Sequence, residues 1–597
     1  MNAVNDLPIS DYALIGDTRT GALVSSSGSI DWMCVPQFDG EPVFGRLIES
    51  EEGGSFSLKT DRSKMTRRYL PRSAVLETQI TSPLGAGRLV EGMVTNVSGK
   101  LLPQLILVRR IVCEQGRLSA RMNFDPRLGL PARNPTRVAR RANTLVCEWG
   151  ALALGLAVAP DIDVRPGREA SVDLSAGSSL TVVMTLSDRS PVVFLSPERA
   201  YDLLLTTDRW WREWASTTTY SGPFTEAVLR SLITLRLLTF SPSGAPIAAP
   251  TTSLPEVIGG ERNWDYRFAW PRDACIGLAA FIGLGKEDEA HSFMHWLLHA
   301  GRLSRPRLRV LYTLYGKDSP EEQELHEVAG YSRSLPVRIG NAACTQHQLD
   351  VYGWVLDAGW LLSRSGRRLH GETWRALSGF ADFVVKHWRE PDAGIWEMRG
   401  EPTHHVHSKL MAWLCLDRAL KIAATRNTAD ARMKRWRQER DQLRADIRAR
   451  GFDDAAGVYV RSYGSTDLDA ALLILPVVGF EDDQSKVRAT IAAIRGQLEP
   501  HEGIVYRYRP GTDSMRGTEG GFLPCSFWLV QALARTGRAN EATELFDRLL
   551  NLANDVGLFA EEIDPLSKAH LGNYPQAFTH ATLIQAAMSM TDRELTA

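Results

Sequence analysis

Apolar residues come in short alternating bursts through the first third of the chain and at a period near 3.6 through the rest. Runs such as QLILVRRIVC, TLVCEW and SLTVVMTL, cut by Gly, Pro, Asp and Ser clusters, are the signature of strands and turns up to about residue 197. The texture changes at Pro197. The stretch SPERAYDLLLTTDRWWREWAS predicts a capped helix, with Ser196 as N-cap, Pro197 at the first helical position and Glu198 just behind it. The reading is a mainly α protein with an N-terminal all-β domain: a β-domain over 1–197, a helical linker over 198–221 and a helical domain over 222–597.

Within the helical domain, spacing and breaker residues predict about a dozen helices, near 223–240, 273–284, 286–301, 345–363, 371–388, 404–424, 429–449, 467–476, 482–498, 521–536, 539–553 and 576–591. Several junctions are short, TGRAN for example, and imply antiparallel hairpins. They alternate with long intervals rich in Gly, Pro and aromatics, at 241–272, 302–344, 389–403, 499–520 and 554–575. A ring of helical hairpins with elaborate loops at one end has this rhythm, and function is expected at the long-loop end.

Composition narrows the partners. Lys plus Arg (69) nearly balances Asp plus Glu (70) in a chain of 597 residues that is 44% hydrophobic, which argues against nucleic acid or an anionic membrane surface and for a small neutral partner. Seven cysteines, none in CxxC spacing, suit a reducing compartment better than a disulfide framework or a zinc site. The start MNAVNDLPISDY lacks the basic and apolar regions of an export signal, and GALALGLAVAP is too short to span a bilayer. The expected setting is cytoplasmic, with homo-oligomer formation left open.

Chemistry gathers in the long loops. RNWDYRFAWPRDA (262–274) interleaves Tyr266 and Trp270 with Arg272 and Asp273, flat apolar faces beside fixed charges, a mixture that suits sugars; a structural ion pair under an aromatic cluster has the same composition. GYSRSLPVRIGNAACTQHQLDVYG (330–353) offers Arg338, Asn341, Gln348 and Asp350 to the same mouth, or to its own backbone. In GIWEMRG, Glu397 lies between Trp396 and Met398, with Arg399 close by. A carboxyl in apolar company resists losing its proton, as a general acid must. His404, His405 and His407 follow without HExxH or other ligand spacing, so no metal and no cofactor is expected. The last loop, GLFAEEIDPLSKAHLGNYPQAFTHATL, carries Glu561, Glu562 and Asp564 ahead of Gln576 and His580. Adjacent acids are commonly solvated surface, but these follow GLFA. Two opposed carboxyls in a sugar-friendly pocket are the apparatus of glycoside hydrolysis.

WDYRFAWPRDA, SLPVRIGNAA, QLDVYG, GIWEMRG, HSKLMAW, EEIDP and GNYPQAFTH, with the N-terminal ISDYALIGDTRTGALVSSSGSIDWMCVPQFD, resemble the prokaryotic branch of family 15 glycoside hydrolases, the glucoamylase-like enzymes and trehalases, over nearly the whole chain. The resemblance implies a β-sandwich followed by an (α/α)6 barrel and an inverting mechanism. It implies Glu397 as general acid, Glu561 as general base, and Arg272 and Asp273 as holders of the non-reducing glucose beside Tyr266 and Trp270. The wider substrate-binding set expected is Arg338, Asn341, Trp396, Arg399, Lys409, Glu562 and His580. Fungal members carry Gln at the place of Glu562, and Glu562 stands as the alternative to Glu561 for the base. Trp354 stands where many relatives have an acidic residue after YG, a departure expected on the substrate side of the mouth. Among the family's activities, hydrolysis of α,α-trehalose is expected; the alternatives are a hydrolase of maltooligosaccharides or isomaltose, and an inactive sugar-binding protein. A phosphorylase would replace the base with phosphate, against EEID.

Overall fold

The computed structural model describes residues 6–61, 63–95, 105–366, 369–426, 432–513, 515 and 517–591. The first residues of the predicted helix 429–449, both chain ends and residues 96–104 of the predicted β-domain lie outside these. The alternating N-terminal pattern becomes fourteen strands, and every described pairing is antiparallel. The longest strand, Leu105–Asp125, belongs to two sheets. Its first half pairs with Ser179–Asp188 and Gly85–Met93, and its second half with Ala170–Ser175 and Ser55–Thr60. The turn between the halves falls at Gly116, where φ is 66° and a Cβ would come 2.2 Å from the Leu84 carbonyl, so a side chain there would break the bend.

Helix α1 (Pro197–Ser216) begins where the Ser196 hydroxyl accepts from the Arg199 amide, and lays Ala200, Leu203 and Leu204 against Val90, Ile106 and Val108 of the sheet. Twelve further helices follow among the described residues: α2 (Thr225–Leu237), α3 (Pro271–Gly283), α4 (Glu287–Ala300), α5 (Asp350–Arg364), α6 (Gly371–His387), α7 (Val406–Thr425), α8 (Arg432–Arg450), α9 (Leu475–Val478), α10 (Gln484–Leu498), α11 (Leu523–Arg535), α12 (Ala539–Leu550) and α13 (Ala577–Thr591). Helices α3, α5, α7, α9, α11 and α13 form a closed inner ring, α13 returning to α3, and the even-numbered helices pack outside it. This is the expected (α/α)6 barrel. The sequences sort accordingly. α11 is buried without a break from Leu523 to Leu533, as a helix hydrophobic all round must be, while α12 buries only the stripe Ala542, Leu545, Phe546 and Leu549. The predicted helix 467–476 is instead a 3-10 turn, Ala470–Ile474, followed by the single turn α9, because Pro476 lacks an N–H and Gly479, at φ 69°, ends it.

All the inner helices present their N-termini to one end, and each is preceded by a long connection, whereas the outward return from α3 to α4 takes only residues 284–286. The β-domain braces those connections. Trp32 Nε1 donates to the Pro250 carbonyl at 2.7 Å, Tyr574 Oη to the Tyr12 carbonyl at 2.6 Å, and Arg67 forks onto both oxygens of Asp555 at 2.7 and 2.8 Å. Arg267 reaches back to the Gly40 carbonyl at 2.7 Å while pairing with Asp265 at 2.8 Å, so both neighbours of Tyr266 are tied down.

Replacing Arg267 by Met leaves the Asp265 carboxylate buried without its counter-ion, and stability should fall by about 3–5 kcal/mol. Adding Asp265→Leu should recover a large part of the loss. Calorimetric melting of the two variants checks both statements.

Candidate active site

The loop entering α3 turns on a short ribbon, Thr252–Pro255 against Asn263–Asp265, and delivers Tyr266 and Trp270 side by side, edge to face with ring centroids 5.4 Å apart. Pro271 opens the helix, so Arg272 and Asp273 occupy its first turn. Arg272 is buried and held through all three nitrogens: Nε donates to Asp273 Oδ1 at 2.9 Å, Nη1 to the Ile395 carbonyl at 2.9 Å and Nη2 to Glu397 Oε1 at 3.3 Å.

Glu397 sits in the left-handed region, at φ 57°, which side chains other than Gly seldom adopt and which its surroundings must hold in place. They do so at several points. Gln346 Nε2 donates to its carbonyl at 3.1 Å, Trp270 Nε1 to its Oε1 at 2.8 Å, and the preceding Trp396 is anchored by Nε1 to Asp469 at 2.9 Å. Burial, with Asp273 adding to it, raises the Glu397 pKa above the usual carboxylate range; Arg272 and the Trp270 hydrogen bond oppose that shift.

Glu561 and Glu562 part company because they enter a strand. Glu562–Ile563 is the middle of a three-stranded sheet between Gly521–Phe522 and His570–Leu571, and successive side chains in extended chain point to opposite faces. Glu561 faces the pocket, 1% exposed, accepting from Tyr266 Oη at 2.7 Å and from the Asn573 amide at 3.4 Å. Gly572 makes room for it, since a Cβ there would lie 2.5 Å from Glu561 Oε2. Glu562 faces away, into a buried cluster in which one guanidinium, Arg507, meets Glu256 at 2.8 Å, Glu519 at 2.7 Å and Glu562 at 3.1 Å. Burial and the Glu256 charge push Glu561 up to about 8, and burial raises Glu256 and Glu562 as well. So many carboxyls around one cation hold a proton at neutral pH. Glu562 is met by the Gly520 amide on Oε2 at 2.8 Å and by Arg507 on Oε1, and Glu561 by the Tyr266 hydroxyl and the Asn573 amide.

Tyr266, Trp270, Arg272, Asp273, Asn341, Trp396, Glu397, Arg399 and Glu561 line one pocket, with ≈ 930 Å³ of empty space counting its open mouth, within the roughly 300–1,000 Å³ of small-molecule sites. Four other expected residues lie off it. Arg338 donates to the Glu261 and Asn263 carbonyls and stands 4.7 Å over Trp264, a ring that Arg399 also covers at 4.4 Å, so it shapes the mouth from behind. Lys409 is drawn inward to the carbonyls of Trp388 and Glu390 at the end of α6, and burial lowers it to about 8. His580 accepts from the Phe559 amide at 3.3 Å and faces Ser231, steadying the approach to Glu561 instead of reaching the pocket. Glu562 is turned away as described. Gln348 backs Arg272, and Asp350 is buried beneath. Trp354 is not at the mouth, because α5 begins at Asp350 and carries it a turn inside the barrel.

Glu256, Arg262, Arg507 and Asp513 line the pocket without having been singled out in the sequence. Alternation in VYRYR and the charges flanking GG in EVIGGER were their only sequence signals. Among the described residues, the sole group of converging potential metal ligands is Glu256, Glu519 and Glu562, and Arg507 already satisfies it; His404, His405 and His407 do not converge.

A six-hairpin barrel whose long loops bring two carboxyl groups and an aromatic, charged wall into one pocket is a scaffold for carbohydrate chemistry. Residues 222–588 match the family described as glycosyl hydrolases family 15 and residues 2–166 the one described as trehalase-like, N-terminal; the chain belongs to glycosyl hydrolases family 15. It is 36% identical to a trehalase of Mycolicibacterium smegmatis over 98% of this chain and 92% of that one, and 31% identical to a trehalase of Thermoplasma volcanium over 97% and 93%. In fold it is similar to a crystal structure of a bacterial glucoamylase complexed with acarbose, with a TM-score of 0.72 at 14% identity, covering 99% of this chain and 95% of that one. No helix among the described residues is long and apolar enough to cross a membrane.

The Glu561 shift has a thermodynamic sign. Its folded pKa of about 8 lies above the ordinary 4.5, so the folded protein retains a proton that the unfolded chain releases. The group's contribution is fully present below about pH 4.5 and is lost as pH rises through about 8. Glu561→Gln should flatten the fall in melting temperature across that window.

Proposed function

We propose that this chain hydrolyses α,α-trehalose to two glucoses with inversion, Glu397 acting as general acid and Glu561 as general base. The observation that carries the reading is the placement of two carboxyls at the two ends of the Tyr266–Trp270 pair, one hydrogen-bonded to each ring. A glucosyl ring lying against that pair meets a proton donor on one side and an acceptor on the other.

In this mechanism Glu397 gives its proton to the oxygen bridging the two sugars as that bond breaks. A water on the opposite face attacks the anomeric carbon and passes a proton to Glu561. The environments fit the roles. Burial raises Glu397, as a proton donor needs, while the Tyr266 hydroxyl and the Asn573 amide oppose the burial and the Glu256 charge that raise Glu561, so that the anion acting as base becomes populated as pH approaches about 8. Arg272 and Asp273, paired at 2.9 Å on the pocket wall, supply charge-assisted hydrogen bonds to the glucose hydroxyls. Trehalose as the substrate is supported by the relatives named trehalase, matched over nearly their full lengths. Seven free cysteines, six of them buried, support a cytosolic setting.

Glu397→Gln and Glu561→Gln should each lower turnover by roughly 10²–10⁴ while the fold persists. Glu562→Gln should be far milder; the reverse ranking would transfer the base to Glu562.

Inversion sets the products. Trehalose should give one β-glucose and one α-glucose in the first minutes, before mutarotation, and the two carboxyls should stand roughly 6.5–9.5 Å apart to admit the water. Early proton NMR reads this directly. Only α-glucose would refute inversion, and β-glucose from maltose or isomaltose with none from trehalose would move the substrate to those sugars.

A further inference from the structure

Two guanidiniums near the mouth of the pocket converge on one carboxylate that does not itself line it. Glu322, just ahead of the ribbon Gln323–Leu325 against Val337–Ile339, is met by Arg399 Nη2 at 2.9 and 3.0 Å, by Arg338 Nε at 3.3 Å and by the Ala342 amide at 3.1 Å. Its side chain is only 12% exposed, so the anion has exchanged most of its water for these donors. The three come from different stretches of chain. Arg399 follows Glu397 on the acid's loop, Arg338 backs the strand that leads to Tyr266, and Ala342 opens the 3-10 turn Ala342–Thr345 after Asn341.

These groups depend on Glu322 to different degrees. Arg338 also has Glu324 at 3.0 Å and the carbonyls of Glu261 and Asn263, and Glu397 has Trp270 and Gln346. Arg399 has little else. Among the described residues its guanidinium hydrogen-bonds to Glu322 alone, and it lies 4.4 Å from the centre of the Trp264 ring. Nη2 is spent on the carboxylate, which leaves Nε and Nη1 as donors at the mouth, where the side chain is 43% exposed. Asn341 is placed by the same carboxylate, one peptide away: its Oδ1 accepts from the Ala343 amide at 2.9 Å, which leaves its NH2 for the pocket it lines. Depth decides what these donors meet. Arg272 and Asp273 are buried in the first turn of α3, so a sugar they hold fills the inner end, and the second sugar of a disaccharide extends past Glu397 toward solvent.

We propose that Glu322 is the positioning residue for the leaving sugar: by holding Arg399 against Trp264 and fixing the peptide after Asn341, it aims donors from both side chains at the hydroxyls of the departing glucose. The proposal rests on the hydrolytic reading above and concerns the second sugar only. Glu322 touches no substrate itself, and it acts through Arg399 and Asn341.

The test compares trehalose with α-glucosyl fluoride, whose leaving group is a fluoride ion and which brings no second sugar. Glu322→Ala should raise KM for trehalose by roughly tenfold or more, with kcat for trehalose and kcat/KM for the fluoride close to parental. Glu322→Gln, which keeps the size of the side chain, should raise KM by a smaller factor and keep the parental melting temperature, which separates loss of aim from loss of fold. Combined with Arg399→Ala, Glu322→Ala should raise KM well short of the product of the two single effects. Single effects that multiply, equal falls on both substrates, a fall in kcat at unchanged KM, or no change at all would overturn the proposal. If the parental chain cleaves maltose or isomaltose and not trehalose, that sugar takes the place of trehalose in the comparison; the substrate assignment then fails by itself, and the same outcomes decide the role of Glu322.

Discussion

Tyr266 and Trp270 stand edge to face, and each donates one hydrogen bond to a different carboxyl, the buried Glu561 and the half-buried Glu397. Much of the active end is arranged around that pair. Two acids sharing a low-dielectric pocket repel one another and resist ionisation unless they are held apart and individually solvated by fixed donors. A rigid aromatic pair does both. The rings separate Glu397 from Glu561, and the phenol and indole protons replace the water each carboxyl has lost. Much else in the loops keeps the pair where it is: Arg267 and Asp265 pin Tyr266, Pro271 ends the turn at Trp270, and Arg272 joins the first turn of α3 to Glu397.

The N-terminal domain belongs to the same arrangement. The loops that carry the pocket are long and would fluctuate alone. Trp32, Tyr12, Gly40 and Arg67 fasten them at 250, 574, 267 and 555. The Arg507 cluster does comparable service from within. It gathers Glu256, Glu519 and Glu562 from three connections around one cation, and so sets the electrostatic field that Glu561 experiences.

A barrel of parallel inner helices has two ends, and here they differ in kind. One end has long loops and paired charges; the other is open to indoles, guanidiniums and unsatisfied donors. A layer containing Trp528 lies between them, its ring 6.2 Å from that of Trp396 in the pocket.

By itself the sequence determined the order of elements, because burial writes its period into the chain: two for the strands before Pro197, 3.6 for the helices after, with inner helices apolar all round and outer ones striped. It also placed the chemistry on particular loops, since aromatic and ionisable residues crowded among glycines and prolines stand out locally. Tertiary structure decided which of those residues meet. Strand alternation sends Glu561 forward and Glu562 back, the carbonyls at the end of α6 capture Lys409, and α5 carries Trp354 into the barrel. Arg507, Glu256 and Glu519 were invisible for the same reason. A charge in a sequence looks like a solvated surface until the fold removes the water around it and supplies, from some 250 residues away, the opposite charge that it then requires.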